Sequence, residues 1–293
     1  MKQFFLTLII VAISLVHVNG QQVPNAKVYQ IPDYSLYFLA DSVTGKYYVY
    51  LDYDRVYPLE EGIALVEKNG KMGAIDNSGK MIIPMDFDII SSFVNGYAIA
   101  RKGGFEFLIN KSGKSIGSET KYTECWSVND GMAKVYDGSK YGYIDITGKE
   151  VIAPKFDEAF SFSEGLARVR IDTLNMFINK SGVRVGTGNF KAAGDFSDGL
   201  GLVKSNGLYG FINKSGAVVV PIQYSNAESF SKKIARVEKK IDLKTSVGFV
   251  NAVGKEIIPC SFDHGMLRND GFVIVDTGGY VMYNSFAGED ELL

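Results

Sequence analysis

A glycine-centred tetrapeptide recurs eight times along this chain: VTGK ending at Lys46, NSGK at Lys80, KSGK at Lys114, ITGK at Lys149, KSGV at Val183, KSGA at Ala217, AVGK at Lys255 and FAGE at Glu289. Its glycines, Gly45, Gly79, Gly113, Gly148, Gly182, Gly216, Gly254 and Gly288, follow one another at intervals of 34, 34, 35, 34, 34, 38 and 34 residues. A fixed period of this length is the signature of a repeat architecture, in which each unit is too small to bury its own faces and must stack on its neighbours. Each turn sits between two β-type runs, such as MGAID (72–76) and KMIIP (80–84), or VGFVN (247–251) and KEIIP (255–259). Glycine supplies the positive φ of a tight hairpin, and the Asn or Asp with Ser or Thr before it bonds the turn backbone.

Three further markers keep the same period. A dipeptide, Glu61-Gly62, Asn95-Gly96, Asp130-Gly131, Glu164-Gly165, Asp198-Gly199 and Asp270-Gly271, opens the preceding strand, with Lys232-Lys233 as the departure. Two residues after it stand Ala64, Ala98, Ala133, Ala167, Gly201, Ala235 and Val273, and four after it Val66, Ala100, Val135, Val169, Val203, Val237 and Val275. Period two puts both positions on one strand face, and their small size predicts close approach of neighbouring units. Nine residues before the dipeptide glycine lies an aromatic: Tyr53, Phe87, Tyr122, Phe156, Phe190, Tyr224 and Phe262. An aromatic at a fixed repeat position fills the seam between units. A sugar-stacking platform is the sharper alternative. The Asp that follows in four copies (Asp54, Asp88, Asp157, Asp263) reads as a turn cap.

These signs predict an all-β chain: a tandem array of seven to eight units of about 34 residues, each a meander of three or four short strands. Units end near 60, 94, 129, 163, 197, 231, 269 and 293, inside a single repeat domain spanning 34–293. The pattern resembles the WG (KWG) repeat family of bacterial β-repeat proteins, whose units carry an aromatic-Gly pair, a strand, the turn, a strand and a Phe-Asp or Tyr-Asp pair. It reads here as KYGYIDITGKEVIAPKFDEAFSFSEGLARV, from Lys140 to Val169. The resemblance runs from about Leu36 to Leu292. The family's usual Trp is Met72, Tyr141, Tyr209 or Val247, and the pair is absent near Phe107 and Met176. The resemblance implies an architecture and carries no activity over to particular residues. An open curved solenoid is favoured because the ends look unmatched, with a closed propeller-like ring as the alternative. In an open array Cys125 and Cys260, four repeats apart, lie beyond disulfide reach, so two free and mostly buried thiols are expected.

Residues 1–20 order a positive charge, an apolar run from Phe4 to Val16 and small residues at Val18-Asn19-Gly20, as in a secretory signal peptide; the run is too short for a spanning helix. The mature chain then starts near Gln21, with 21–33 an extended lead-in, no transmembrane segment, and a periplasmic or extracellular location. Net charge is −2, or −3 once Lys2 leaves, which gives no field for phosphates and argues against nucleic acid as a partner. The acidic end, Gly288 to Leu293, is expected to fray.

Signs of catalysis are few. After signal removal His264 is the one histidine, at an ordinary repeat position, and reads as structural. Gly103-Gly104 reads as a hairpin turn and not a phosphate loop. No catalytic, metal or cofactor residue is assigned. Trp126 in TECWSVND is a core residue or, if exposed, a binding anchor. The sixth interval gains four residues, read as a longer hairpin loop over 239–246. Lys239, Lys240, Asp242 and Lys244 there are the candidates for an irregular contact. The function expected is an exported, non-catalytic module binding an envelope protein or a glycan, with a carbohydrate-binding or carbohydrate-active protein as the alternative.

Overall fold

The computed structural model describes residues 23, 25–31, 36–44, 47–268, 271–276 and 279–283. The signal segment 1–20, Gly45, Gly288 and the acidic end lie outside the described residues. Among the described residues the regular structure is all strand, arranged as eight antiparallel sheets in chain order.

The second sheet shows the plan. A two-residue strand, Arg55–Val56, pairs with Ile63–Lys68, which pairs with Lys71–Asp76, which pairs with Met81–Phe87. The same meander recurs from Ile89 to Ile116, Glu124 to Phe156, Glu158 to Phe190, Ala192 to Tyr224 and Asn226 to Phe262. Three-stranded sheets stand first and last, the last running from His264 to Tyr283. In the first, Ala26–Ile31 pairs along its whole length with Leu36–Asp41, so the segment read as a lead-in supplies a strand of the array. The backbone before it is tied down too, with Val23 buried and its N–H donating to the Asn77 carbonyl at 3.4 Å.

Two turn chemistries make the meander. The dipeptide marker is the centre of a two-residue turn between the short strand and the long one: Asn95 and Gly96 have φ of 54° and 84°, and Val94 and Tyr97 exchange backbone bonds across it. Positive φ at both central residues is the type I′ pattern, whose twist matches that of the strands. The eightfold marker is the longer turn. At 76–80 the Gly79 N–H donates to the Asp76 carbonyl at 3.0 Å, and Asp76 Oδ1 accepts from Ser78 N, Ser78 Oγ and Lys80 N. Asn110, Asp145, Asn179, Asn213 and Asn251 repeat that capping role.

The glycine of the aromatic-Gly pair has a different function. Between Met72↔Phe87 and Ala74↔Ile83 the register shifts, so the strand Met81–Phe87 bulges across Gly73. A Cβ there would lie 2.6 Å from the Ile83 carbonyl oxygen, and at Gly142, Gly210 and Gly248 it would meet the following strand's backbone as closely. Only hydrogen fits beneath the bulge.

The chain forms two compact units, the first made of 1–128, 135–138 and 144–149, the second of 129–134, 139–143 and 150–293, and the division runs through the fourth sheet. Within each unit the core lies between successive sheets. In the first unit, Ile83 and Phe87 of the second sheet pack with Ile90, Ala98, Ala100 and Phe107 of the third. In the second, Phe211, Val220 and Tyr224 pack with Phe230, Ala235 and Val237. The small positions Ala64, Ala98, Ala133, Ala167 and Ala235 are at most 2% exposed, as close approach requires. An aromatic seam in the second unit runs at the same period: Tyr143 meets Phe162, Phe177 meets Phe196 and Phe211 meets Phe230, edge-on at 4.7–4.9 Å between centroids. Each fully buried ring contributes about 1.5–3 kcal/mol by transfer, plus about 0.5–1.5 kcal/mol for its edge-to-face partner.

Candidate binding surface

Of the seven marker aromatics, Phe87, Tyr122, Phe156, Phe190 and Tyr224 are buried, and Tyr53 and Phe262 are half-buried. Five rings are thus spent on the seams and closed to a sugar face. Burial raises the Tyr224 hydroxyl to about 12, where it donates to Glu256 Oε1 at 3.0 Å.

The carboxylates that recur with the repeat are committed to backbone and lysine partners. Asp54, Asp88 and Asp157, each directly after a marker aromatic, accept the N–H of the first turn residue of the next hairpin: Asn69, Gly103 and Asp172, at 2.7, 3.0 and 2.6 Å. Lys71 and Lys140 take the second oxygen of Asp88 and Asp157. The lysine bond first, then the backbone N–H, holds both carboxyls below the usual range. Gly103-Gly104 is a hairpin tip with φ of 61° and 87°. A ladder links turns of successive sheets in the second unit: Gly165 N donates to Asp130, Gly199 N to Glu164, and Lys233 N to Asp198, at 2.6, 2.9 and 2.7 Å.

One register departs from this repetition. Four residues after the markers stand Tyr57, Ser91 and Trp126 in the first unit, and Phe160, Gly194, Glu228 and Met266 in the second; all are half-buried except Glu228 and Met266, which are exposed. Trp126 follows the buried Cys125, whose thiol is pushed up to about 12 by burial, with Glu106 adding to it. Cys260 is half-buried and raised to about 11, again by burial first; both thiols are free. Across the strand pair from Phe160, the Arg168 guanidinium carbon stands over the phenyl ring, 3.3 Å from its centroid, with Nε 3.7 Å from Asp195. Burial lowers the Arg168 pKa. Arg236, opposite Glu228, donates from Nε to the Gly265 carbonyl at 2.7 Å and pairs with Glu238 at 2.6 Å.

In the first unit this register borders a cleft of ≈ 60 Å³ lined by Tyr57, Pro58, Glu60, Ile63, Leu65, Ser92 and Phe93. Ligand pockets start at about 300 Å³. The space suits one aliphatic side chain.

The four additional residues of the sixth interval do not make a loop. Ile234–Ile241 and Lys244–Asn251 pair down to Ile241↔Lys244, closed by Asp242-Leu243 with φ 57° at Asp242. The insertion lengthens a hairpin by whole rungs because Lys239↔Ser246 and Lys240↔Thr245 continue the ladder. Lys239 bonds Glu256 and lies 5.3 Å from the Tyr224 ring centroid, and Lys244 pairs with Asp263 at 2.8 Å. Lys240 and Asp242 are exposed, and Leu243 is 97% exposed. These residues belong to the second unit and Trp126 to the first. His264 is exposed at the start of its strand. Among the described residues no three His, Cys, Asp or Glu side chains gather to hold a metal, and no helix is long and apolar enough to cross a membrane.

The aromatic seam went unread in the sequence, although its signal is there: Phe93, Phe162, Phe196 and Phe230 stand six residues after a marker aromatic in four copies.

No curated protein matches the chain. Similar solved structures include BamB from Moraxella catarrhalis (12% identity, 75% of this chain and 78% of that one, TM-score 0.34) and a eukaryotic initiation factor (7%, 90% and 85%, TM-score 0.44). Kluyveromyces lactis Hsv2 is another (9%, 74% and 87%, TM-score 0.38). The WG containing repeat matches residues 37–71, 72–104, 141–172, 176–209 and 209–240. Those matches cover more than half of the chain and fall on the strand, turn and bulge units described above, so the protein belongs to the WG containing repeat family.

Proposed function

We propose that the protein is an exported, non-catalytic repeat scaffold that binds another envelope protein in the periplasm or outside the cell. One observation carries the reading. On a frame whose aromatics, turn glycines and carboxylates repeat, the register Tyr57, Ser91, Trp126, Phe160, Gly194, Glu228, Met266 changes residue at every step while keeping access to solvent. A repeat protein writes its specificity in such positions, because within each unit the frame fixes their spacing and leaves their identity free. Export rests on residues 1–20 alone.

The test is photo-crosslinking. A benzophenone side chain replaces Tyr57, Trp126 or Phe160 in turn, and the purified protein meets the envelope and secreted fractions of its own source. One dominant protein adduct, formed at these positions and not from an exposed turn such as Ser215, supports the reading. A hydrolytic activity that disappears when a carboxylate pair is neutralised overturns it. The glycan reading now rests on Tyr57, Trp126 and Phe160, since five marker rings are buried. Selective retention on a glycan array, lost on Trp126→Ala, would favour it.

A further inference from the structure

We propose that a second copy of this chain docks its Asp242-Leu243 fingertip into the cleft beside Tyr57 and Phe93, so that copies associate head to tail. Two observations from different parts of the chain meet in this inference. The first is the knob. Asn69-Gly70, Gly103-Gly104 and Asn206-Gly207 close comparable hairpins with polar or side-chain-free tips. The hairpin Ile234 to Asn251 carries its tip outward on added rungs and places Leu243 there at 97% exposure. Holding a leucine in water at a hairpin tip leaves about 2 kcal/mol of transfer free energy unused, which a partner surface recovers. The second is the hole. The cleft has an apolar floor of Ile63, Leu65 and Phe93 and the volume of one aliphatic side chain.

Charge complementarity favours a second copy as the occupant. Lysines near the hairpin tips find acids within the fold: Lys71 with Asp88, Lys140 with Asp157, Lys239 with Glu256, Lys244 with Asp263. Among the described residues Lys240 and Asp242 on the finger and Glu60 beside the cleft have no ion-pair partner. Lys240 stands three residues before the knob and Glu60 lines the hole, so the docking pairs these two and leaves Asp242 to solvent. Knob and hole are different patches, which makes the contact heterologous and open to extension. A contact this small is weak, with a Kd in the range of about 10 μM to 1 mM.

Sedimentation equilibrium of the purified protein over about 1 μM to 1 mM reads it directly. The weight-average mass rises with concentration. Leu243→Asp (no knob) and Ser92→Arg (filled hole) each stay monomeric, and both alter exposed positions. Mixed in equal amounts, they form dimers that extend no further, because one intact knob and one intact hole remain. Glu60→Lys weakens association about tenfold, and Lys240→Glu in the same chain restores it. A wild-type protein that stays monomeric across the range overturns the proposal. So does a Leu243→Asp protein that associates like wild type, or a mixture that stays monomeric.

Discussion

Lys232 and Lys233 hold φ of 54° and 63° at a turn whose counterparts place glycine second. The frame imposes this conformation, since Ser231 and Ile234 exchange the same backbone bonds as Val94 and Tyr97, and Lys233 N still reaches Asp198. A Cβ in the left-handed region costs about 1 kcal/mol relative to glycine. Lys233→Gly is therefore expected to stabilise the protein by about 0.5–1 kcal/mol, read as a rise of roughly 1–4 °C in Tm. The opposite change tests the bulge. Gly142→Ala or Gly210→Ala drives a methyl against the next strand's backbone and is expected to cost about 1–3 kcal/mol in urea denaturation. Acid sensitivity follows from the caps. Asp88 and Asp157 have folded pKa values lowered by a lysine bond, and Asp145 by its bond from the Thr147 hydroxyl. A lowered carboxyl contributes stability that is complete above its unfolded pKa of about 3.9 and is lost as pH falls through the folded value. The urea midpoint should thus fall below about pH 4, and the deficit of Asp157→Asn against wild type should shrink over the same window. Residue roles of this kind were legible where one side chain serves one turn, as for the Asp caps and turn glycines. The edge-to-face pairs Tyr143 with Phe162 and Phe177 with Phe196 were not, since each joins residues of two sheets and only stacking aligns them.

At the scale of the element, hairpins tolerate change in steps of two residues, because adding one turns every side chain to the other face. The sixth interval obeys this rule: its four extra residues divide into two per strand, and the ladder runs unbroken to Ile241↔Lys244. Read from sequence, IDLKTS signals neither a strong strand nor a glycine turn, which is why it passed for a loop; pairing with a strand already in register decides it instead. Replacing 240–245 by Asn-Gly should close the hairpin at Lys239↔Ser246 on a favoured turn. The expected change in stability is within about 1 kcal/mol, since Lys240, Asp242, Leu243, Lys244 and Thr245 are exposed, and the measure is the urea midpoint with an unchanged m-value. The same variant removes Leu243 and Lys240, so a retained fold accompanied by lost association separates the finger's role in docking from any role in folding.

At the scale of the whole molecule, the core clusters among the described residues draw on consecutive sheets, so stability is close to a sum of sheet and nearest-neighbour terms. The period made the number and order of sheets legible, and the small Ala and Val positions showed which face carries the seam. The division at the fourth sheet was not legible, because 124–156 keeps the period and the markers of its neighbours. A nearest-neighbour core has a sharp consequence. Phe211 is fully buried, with its ring 4.7 Å from Phe230 of the following sheet, and sits in a cluster with Val220, Tyr224, Ala235 and Val237. Phe211→Ala should cost about 3–5 kcal/mol locally. In hydrogen exchange the loss of protection should concentrate in 200–224 and 234–258, the two sheets that meet at that seam, while 63–76 in the first unit keeps its wild-type rates. Equal loss along the whole chain would mean that the sheets unfold as one cooperative body, and the nearest-neighbour account would fail. Local loss would mean that a binding register written on one sheet can change without unsettling the rest, which is the property a repeat scaffold needs to vary its contacts sheet by sheet.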